Sequence, residues 1–228
     1  MTVVELSVTI ALLGIVVAGL LAVMNSAQTN LGRQISRSDS NDQLRQAVEA
    51  MDREVRSGDV LYDPATESYS AGDITPYMSI RIYTESNEPT RGKKCVQWRI
   101  TSPTATKPNE LQVRSWEPNW TDAADSSQVS GWRTVATGVV NRITTAGVNS
   151  PGGSTLQAFK RPPVGSSNYL NIILVDLRAD SDTTTQKGLP VEAQQSISGR
   201  NTEFFSTSTA CGSASAAPSS SGPGIPPY

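Results

Sequence analysis

Between Leu6 and Met24 the chain has no charged residue, and Ser7 and Thr9 are the only polar side chains. As a helix rising 1.5 Å per residue, this stretch is about 28 Å long, close to the hydrocarbon thickness of a bilayer. A cleavable secretory signal would need a basic start, a shorter apolar core and a small-residue cleavage site. Here no lysine or arginine precedes the run, the first basic residue is Arg33, and no clean Ala-x-Ala site closes it. The stretch therefore reads as a spanning helix, with a single carboxylate, Glu5, just before it.

From Asn25 to about Ser57 the pattern stays helical and contains no proline. Leu44, Val48, Met51 and Val55 recur at helical spacing and share one face, and Leu31 and Ile35 continue a similar stripe upstream. Ser38-Asp39-Ser40-Asn41 is a weak point at which the helix is expected to loosen. Gly58 follows the last turn, where Arg53 and Arg56 suit the negative end of the helix dipole. The expectation is one long helix, apolar all round over residues 1–24 and amphipathic over 25–57.

After Gly58 the period changes to two. Met78, Ile80 and Ile82 alternate with polar residues, as do Val96, Trp98 and Ile100, and Leu111 and Val113. These are half-buried strands, and Cys95–Thr101 and Glu110–Trp116 are expected to pair as a hairpin across Pro103–Asn109. Trp132–Val140 and Arg142–Thr145 are further strand candidates. Tyr169–Leu177 is the most apolar and is expected to be central, with Val191–Ser198 beside it across the loop Asp180–Gly188. Helix first and strands afterwards favour an α+β fold with an antiparallel sheet over residues 58–205. Residues 206–228 are rich in Ser, Ala, Gly and Pro, the composition of a flexible tail that Cys211 is placed to staple.

The 19 basic and 21 acidic residues leave a net charge of −2, which lacks the basic footprint of a nucleic-acid binder. With no histidine, the commonest general base and metal ligand is missing. No phosphate loop, zinc spacing or catalytic triad occurs, so no catalytic, cofactor or metal residue is assigned and no enzyme is expected. Asp176, Asp180 and Asp182 are oxygen-rich but match no EF-hand loop. Asn119-Trp-Thr121 fits a glycosylation acceptor, a pattern that often arises by chance. The four tryptophans read by default as packing residues, with Trp116 and Trp120 as an alternative exposed contact.

The opening Met-Thr-Val-Val-Glu-Leu-Ser-Val-Thr-Ile-Ala-Leu-Leu-Gly-Ile-Val resembles the N-terminus of mature type IV pilins and type II secretion pseudopilins. The resemblance covers about the first twenty residues closely; beyond them the chain is similar to large β-rich pilins in layout only. It implies that Met1 is the residue left by a prepilin peptidase and then methylated, and that Glu5 pairs with the cationic α-amino group of Met1 on a neighbouring subunit. Such a contact would set subunit register, because a carboxylate beside an apolar helix calls for a partner. Gly14 and Gly19 fall where filament pilins loosen their helix. The sequence departs from that pattern in having Ala22 where many filament pilins have proline, so a continuous helix is the alternative.

The same resemblance implies a pilin fold and a structural role: a subunit of a helical filament of identical or related pilins, serving adhesion, motility or DNA uptake. The partners implied are the prepilin peptidase, a pilus assembly machinery and, before assembly, the inner membrane, with nucleic acid met only through the finished fibre. A minor pilin or pseudopilin at a filament tip is the alternative within the family, and a monomeric membrane-anchored binding domain is the alternative outside it. The implied location is the cell surface, with a single-pass membrane pool. Cys95 and Cys211 are expected to bridge, since pilins often tie down the C-terminal region with a disulfide; free thiols and an intermolecular bridge are the other possibilities.

Overall fold

The structure is a computed structural model, and it describes residues 2–67, 76–86, 92–101, 109–118, 128–141, 157–162, 172–180, 190–200, 203–204 and 210–212. Helix α1 spans Val3–Arg56. The strands are β1 (Gly58–Leu61), β2 (Ser79–Glu85), β3 (Lys93–Ile100), β4 (Asn109–Trp116), β5 (Arg133–Val139), β6 (Phe159–Lys160), β7 (Ile172–Ala179), β8 (Val191–Ser198) and β9 (Glu203–Phe204). The fold is α+β. Internal contacts divide the chain into two compact units, Met1–Asp39 and Ser40–Tyr228.

The first unit is helical from Val3 onward, including Gly14 and Gly19. Glycine costs only about 1 kcal/mol relative to alanine in a helix interior, too little to break one by itself. The expected weak point at Ser38–Asn41 is helical as well, although the boundary between the two units falls at Asp39 and Ser40.

In the second unit the helix buries Leu44, Ala47, Val48, Met51 and Val55. These residues join one apolar cluster with Ile80, Ile82, Val96, Trp98, Leu111, Phe159, Ile173 and Leu177. The helix ends abruptly: Ser57 Oγ donates to the Arg53 carbonyl at 2.9 Å and meets Thr84 Oγ1 at 2.8 Å, and β1 starts at the next residue. Gly58 was expected as a plain helix stop, but a second constraint acts there. A Cβ at this position would lie 3.0 Å from Ile82 Cγ2 and 3.1 and 3.2 Å from the Glu54 and Val55 carbonyl oxygens. Any side chain here would force Ile82 or the helix end to give way by a few tenths of an ångström, so glycine suits a helix that turns straight into the sheet.

The strand order is β6-β7-β5-β4-β3-β2-β1-β9, with β8 also on β7. Every pairing among the described residues is antiparallel except β1 with β9. The expected β3–β4 hairpin is present, with Cys95 opposite Trp116 and Ile100 opposite Leu111. The apolar strand β7 is internal, flanked along one edge by β8 and along the other by β5 and β6. The sheet curls: Phe159 N–H, on β6, donates to the Tyr77 carbonyl just ahead of β2 (3.0 Å), and Arg161 pairs with Asp63 at 2.8 Å. The strand candidate Arg142–Thr145, residues 169–171, most of the loops at 103–109 and 180–188, Trp120 and Asn119 lie outside the described residues. So does most of the tail.

One expectation about the strands needs correction. Gln97, Arg99, Arg81 and Arg114 alternate with apolar residues, which predicts the wet side of half-buried strands, yet all four are buried. The sheet's second face is covered by its own small cluster of Val60, Tyr62, Cys95, Trp116 and Cys211. Trp116 is 2% exposed, which also rules out its reading as an exposed contact.

Candidate functional site

Two features are built for something other than simple packing. The first is the apolar helix surface of the first unit. From Val3 to Ile35 its large apolar side chains are exposed, the least of them, Val17, to 45%. The polar groups set into this surface are handled locally. Ser7 Oγ donates to the Val4 carbonyl at 2.8 Å, and Thr9 Oγ1 donates to the Glu5 carbonyl. Thr2 caps the helix, its Oγ1 accepting from Glu5 N–H at 3.4 Å. Thr2-Val-Val-Glu5 is thus one half of a capping box, a spacing legible in the sequence but overlooked there. The returning half is absent: among the described residues no hydrogen bond or ion pair holds the Glu5 carboxylate, which is exposed. Met1 lies outside the described residues, so its pairing with Glu5 is not placed.

The helix is long and apolar enough to cross a membrane. Glu5 stands at its start, where a carboxylate is near the positive end of the helix dipole.

The second feature is the polar face of the sheet. Registered pairing sets Arg81 beside Gln97 and Gln97 beside Arg114, and one step along sets Arg99 beside Gln112 and Gln112 beside Thr134. Gln97 Oε1 accepts from Arg114 Nη2 at 3.0 Å, and Gln112 Oε1 accepts from Arg99 Nη2 at 2.8 Å. The Trp132 ring takes both guanidinium groups, Arg99 at 3.8 Å and Arg114 at 4.4 Å from its centroid. Cations packed on an aromatic face need less water, which makes burial of these arginines tolerable.

At the end of this face Arg81 donates from Nη2 to Glu67 Oε1 at 2.9 Å, with both side chains buried. Burial pushes the Glu67 carboxyl up from its ordinary 4.5, while Arg81 pulls the other way. Cys95 and Cys211 are joined by a disulfide. It closes a 116-residue separation, a constraint worth about 4–5 kcal/mol in the chain-entropy model.

The sequence pattern assigns Arg81, Glu67, Gln97 and Arg114 no role in a site, and Trp132 only its default packing role, which its contacts with Arg99 and Arg114 fit. The signal that would have found them is parity: Cys95 and Trp116 occupy the same alternate positions as Gln97 and Arg114. A half-cystine and a tryptophan mark a covered face. Of the aspartates that suggested a cation loop, Asp176 is engaged by Arg178 at 3.0 Å and Lys160 at 3.7 Å, and Asp182 lies outside the described residues. Among the described residues no cluster of potential ligands is arranged for a metal. A cleft of about 380 Å³ beside β6, β7 and β8 is lined by Leu174 and Val175 together with Lys160, Asp176, Gln194, Gln195 and Ser196, and Lys160 and Asp176 pair with each other there.

No protein-family profile, curated protein or solved structure matches the chain. What the molecule itself displays is a pilin-like architecture: a long N-terminal helix, apolar at its start, whose later turns pack on an antiparallel sheet stapled by a disulfide. The apolar helix suits a membrane anchor or signal, and the disulfide suits an extracytoplasmic compartment.

Proposed function

We propose that this chain is a structural subunit of a type IV pilus-like filament and assembles through its N-terminal helix. One observation carries the reading: the apolar surface from Val3 to Met24 is exposed along the helix and broken only by Glu5, Ser7 and Thr9, so it requires lipid or other helices to cover it. Lipid covers it before assembly, and copies of the same helix cover it in the fibre. Association of this kind is heterologous and repeats without closing. Glu5, unpaired within its own helix and adjacent to that surface, is left to answer a cation on a neighbour, and the α-amino group of that neighbour's Met1 has the right charge. Adhesion, motility or DNA uptake would belong to the fibre rather than to the subunit.

The uninterrupted helix through Gly14 and Gly19 favours a second form of the same proposal, a minor pilin or pseudopilin in a short or terminal assembly. Electron microscopy of sheared surface material, with the main band sequenced from its N-terminus, separates the two by abundance. The decisive variant is Glu5→Ala. Loss of fibres with the subunit still present in the membrane is the expected outcome. Unchanged fibres would sink the register role of Glu5, and a wild-type cell with the protein present only as membrane-bound monomers would favour a lone anchored domain.

A further inference from the structure

Residues 210–212 lie on the polar face of the sheet, far from β2 and β3 in sequence but against them in space. The bridge from Cys95 is only one of their attachments. Arg81 Nη1 donates to the Cys211 carbonyl at 3.1 Å and to the Gly212 carbonyl at 2.5 Å. Cys211 N–H donates to Tyr62 Oη at 2.9 Å, and the Tyr62 ring lies 4.0 Å from the Arg81 guanidinium carbon. Gly212 holds a left-handed backbone, φ 82°, which presents its carbonyl alongside that of Cys211. Arg81 is itself aimed by Glu67, and both are buried. One guanidinium therefore grips two successive carbonyls while a carboxylate fixes its orientation.

We propose that residues 210–212 form a strap which docks without the disulfide: Arg81 and Tyr62 seat it, and the Cys95–Cys211 bridge then locks it. Arg81 is a positioning residue in this scheme, bringing the Cys211 sulfur to Cys95 before oxidation. The locking chemistry is ordinary exchange with a disulfide oxidant. With oxidised glutathione, the Cys211 thiolate attacks one glutathione sulfur and expels a glutathione thiolate. The Cys95 thiolate then attacks the Cys211 sulfur and expels the second. Two protein thiols lose two protons and two electrons, and one glutathione disulfide becomes two thiols.

The test uses the full chain in detergent micelles, reduced under native conditions, with the alkylation rate of Cys211 followed by mass spectrometry. In the reduced wild type, Cys211 should label at least about tenfold more slowly than in urea, since charge-assisted hydrogen bonds still hold the strap. Removing Arg81 alone would strand Glu67, so the variant is the double change Glu67→Leu with Arg81→Leu, which leaves an apolar pair in place of the ionic one. It should raise the labelling rate about tenfold or more and slow the second exchange step with glutathione, while circular dichroism of the oxidised protein stays that of the wild type. Tyr62→Phe, which removes one acceptor and keeps the ring, should give a smaller change in the same direction. If reduced wild-type Cys211 labels at its rate in urea, the bridge alone holds the strap. If the double variant and Tyr62→Phe both label as slowly as the wild type, Arg81 and Tyr62 do not seat it. Either result overturns the proposal.

Discussion

Glu54 shows how a single side chain couples the helix to the sheet. It sits in the last turn of α1, where Trp98 Nε1–H donates to its Oε2 at 2.9 Å and Lys94 Nζ lies 3.8 Å away. Burial pushes its carboxyl above the ordinary 4.5; the Trp98 hydrogen bond, Lys94, Arg53 and Arg133 oppose that without cancelling it. A carboxyl raised on folding binds more protons in the native state than in the unfolded one just above pH 4.5. The stability it contributes is therefore full below 4.5 and is lost as pH rises through the folded value. Glu54→Gln keeps an acceptor for Trp98 and removes the titration. Urea unfolding at a series of pH values should show wild-type stability falling relative to the variant as pH rises from 4.5, with Glu67 present in both proteins and so common to the comparison. A difference that stays flat with pH would show that Glu54 titrates alike folded and unfolded. That Glu54 would be half-buried was not legible in the helical pattern, because Trp98 and Lys94, which lie against it, come from a strand some forty positions on.

The helix face was readable because its period is local: Leu44, Val48, Met51 and Val55 repeat at 3.6 and all four are buried. The alternate residues of β3 and β4 were readable in the same way on the helix side, where Val96, Trp98, Ile100, Leu111 and Val113 enter the core. The opposite face was not, because what covers it comes from outside the strands' own period: Tyr62, Glu67 and Trp132 from other segments, and Cys211 from 116 positions beyond Cys95. The short strands β1, β6 and β9 also escaped reading. They have two to four residues each, too few for a period to show, and they exist because an existing strand offers them an edge. The junction at Gly58 is where element and fold meet most tightly. Gly58→Ala should lower stability by about 1–3 kcal/mol, because two of the three crowding atoms are helix carbonyl oxygens, which cannot swing aside as a side chain can. Its urea midpoint should fall with an unchanged slope; an unaltered midpoint would mean that the helix end yields at no cost.

For the molecule as a whole, every buried core residue among the described residues lies at position 44 or beyond, within the second compact unit. A fragment of residues 40–228 should therefore be monomeric in detergent-free buffer by size-exclusion chromatography, with a cooperative urea transition, whereas the full chain should need detergent or lipid. An aggregated fragment, or one without a cooperative transition, would show that the core depends on the first unit. The sequence by itself determined the long apolar helix, its amphipathic continuation and most of the longer strands, since these follow from hydrophobic periods confined to neighbouring residues. It also marked Glu5 as the isolated carboxylate beside an apolar surface. Tertiary structure alone decided the fate of the arginines. Alternation places Arg81, Arg99 and Arg114 opposite the core, but it cannot say whether water or protein lies there. The Trp132 ring, Glu67 and the carbonyls of Cys211 and Gly212 take that place, and burying a guanidinium is tolerable only where such partners converge.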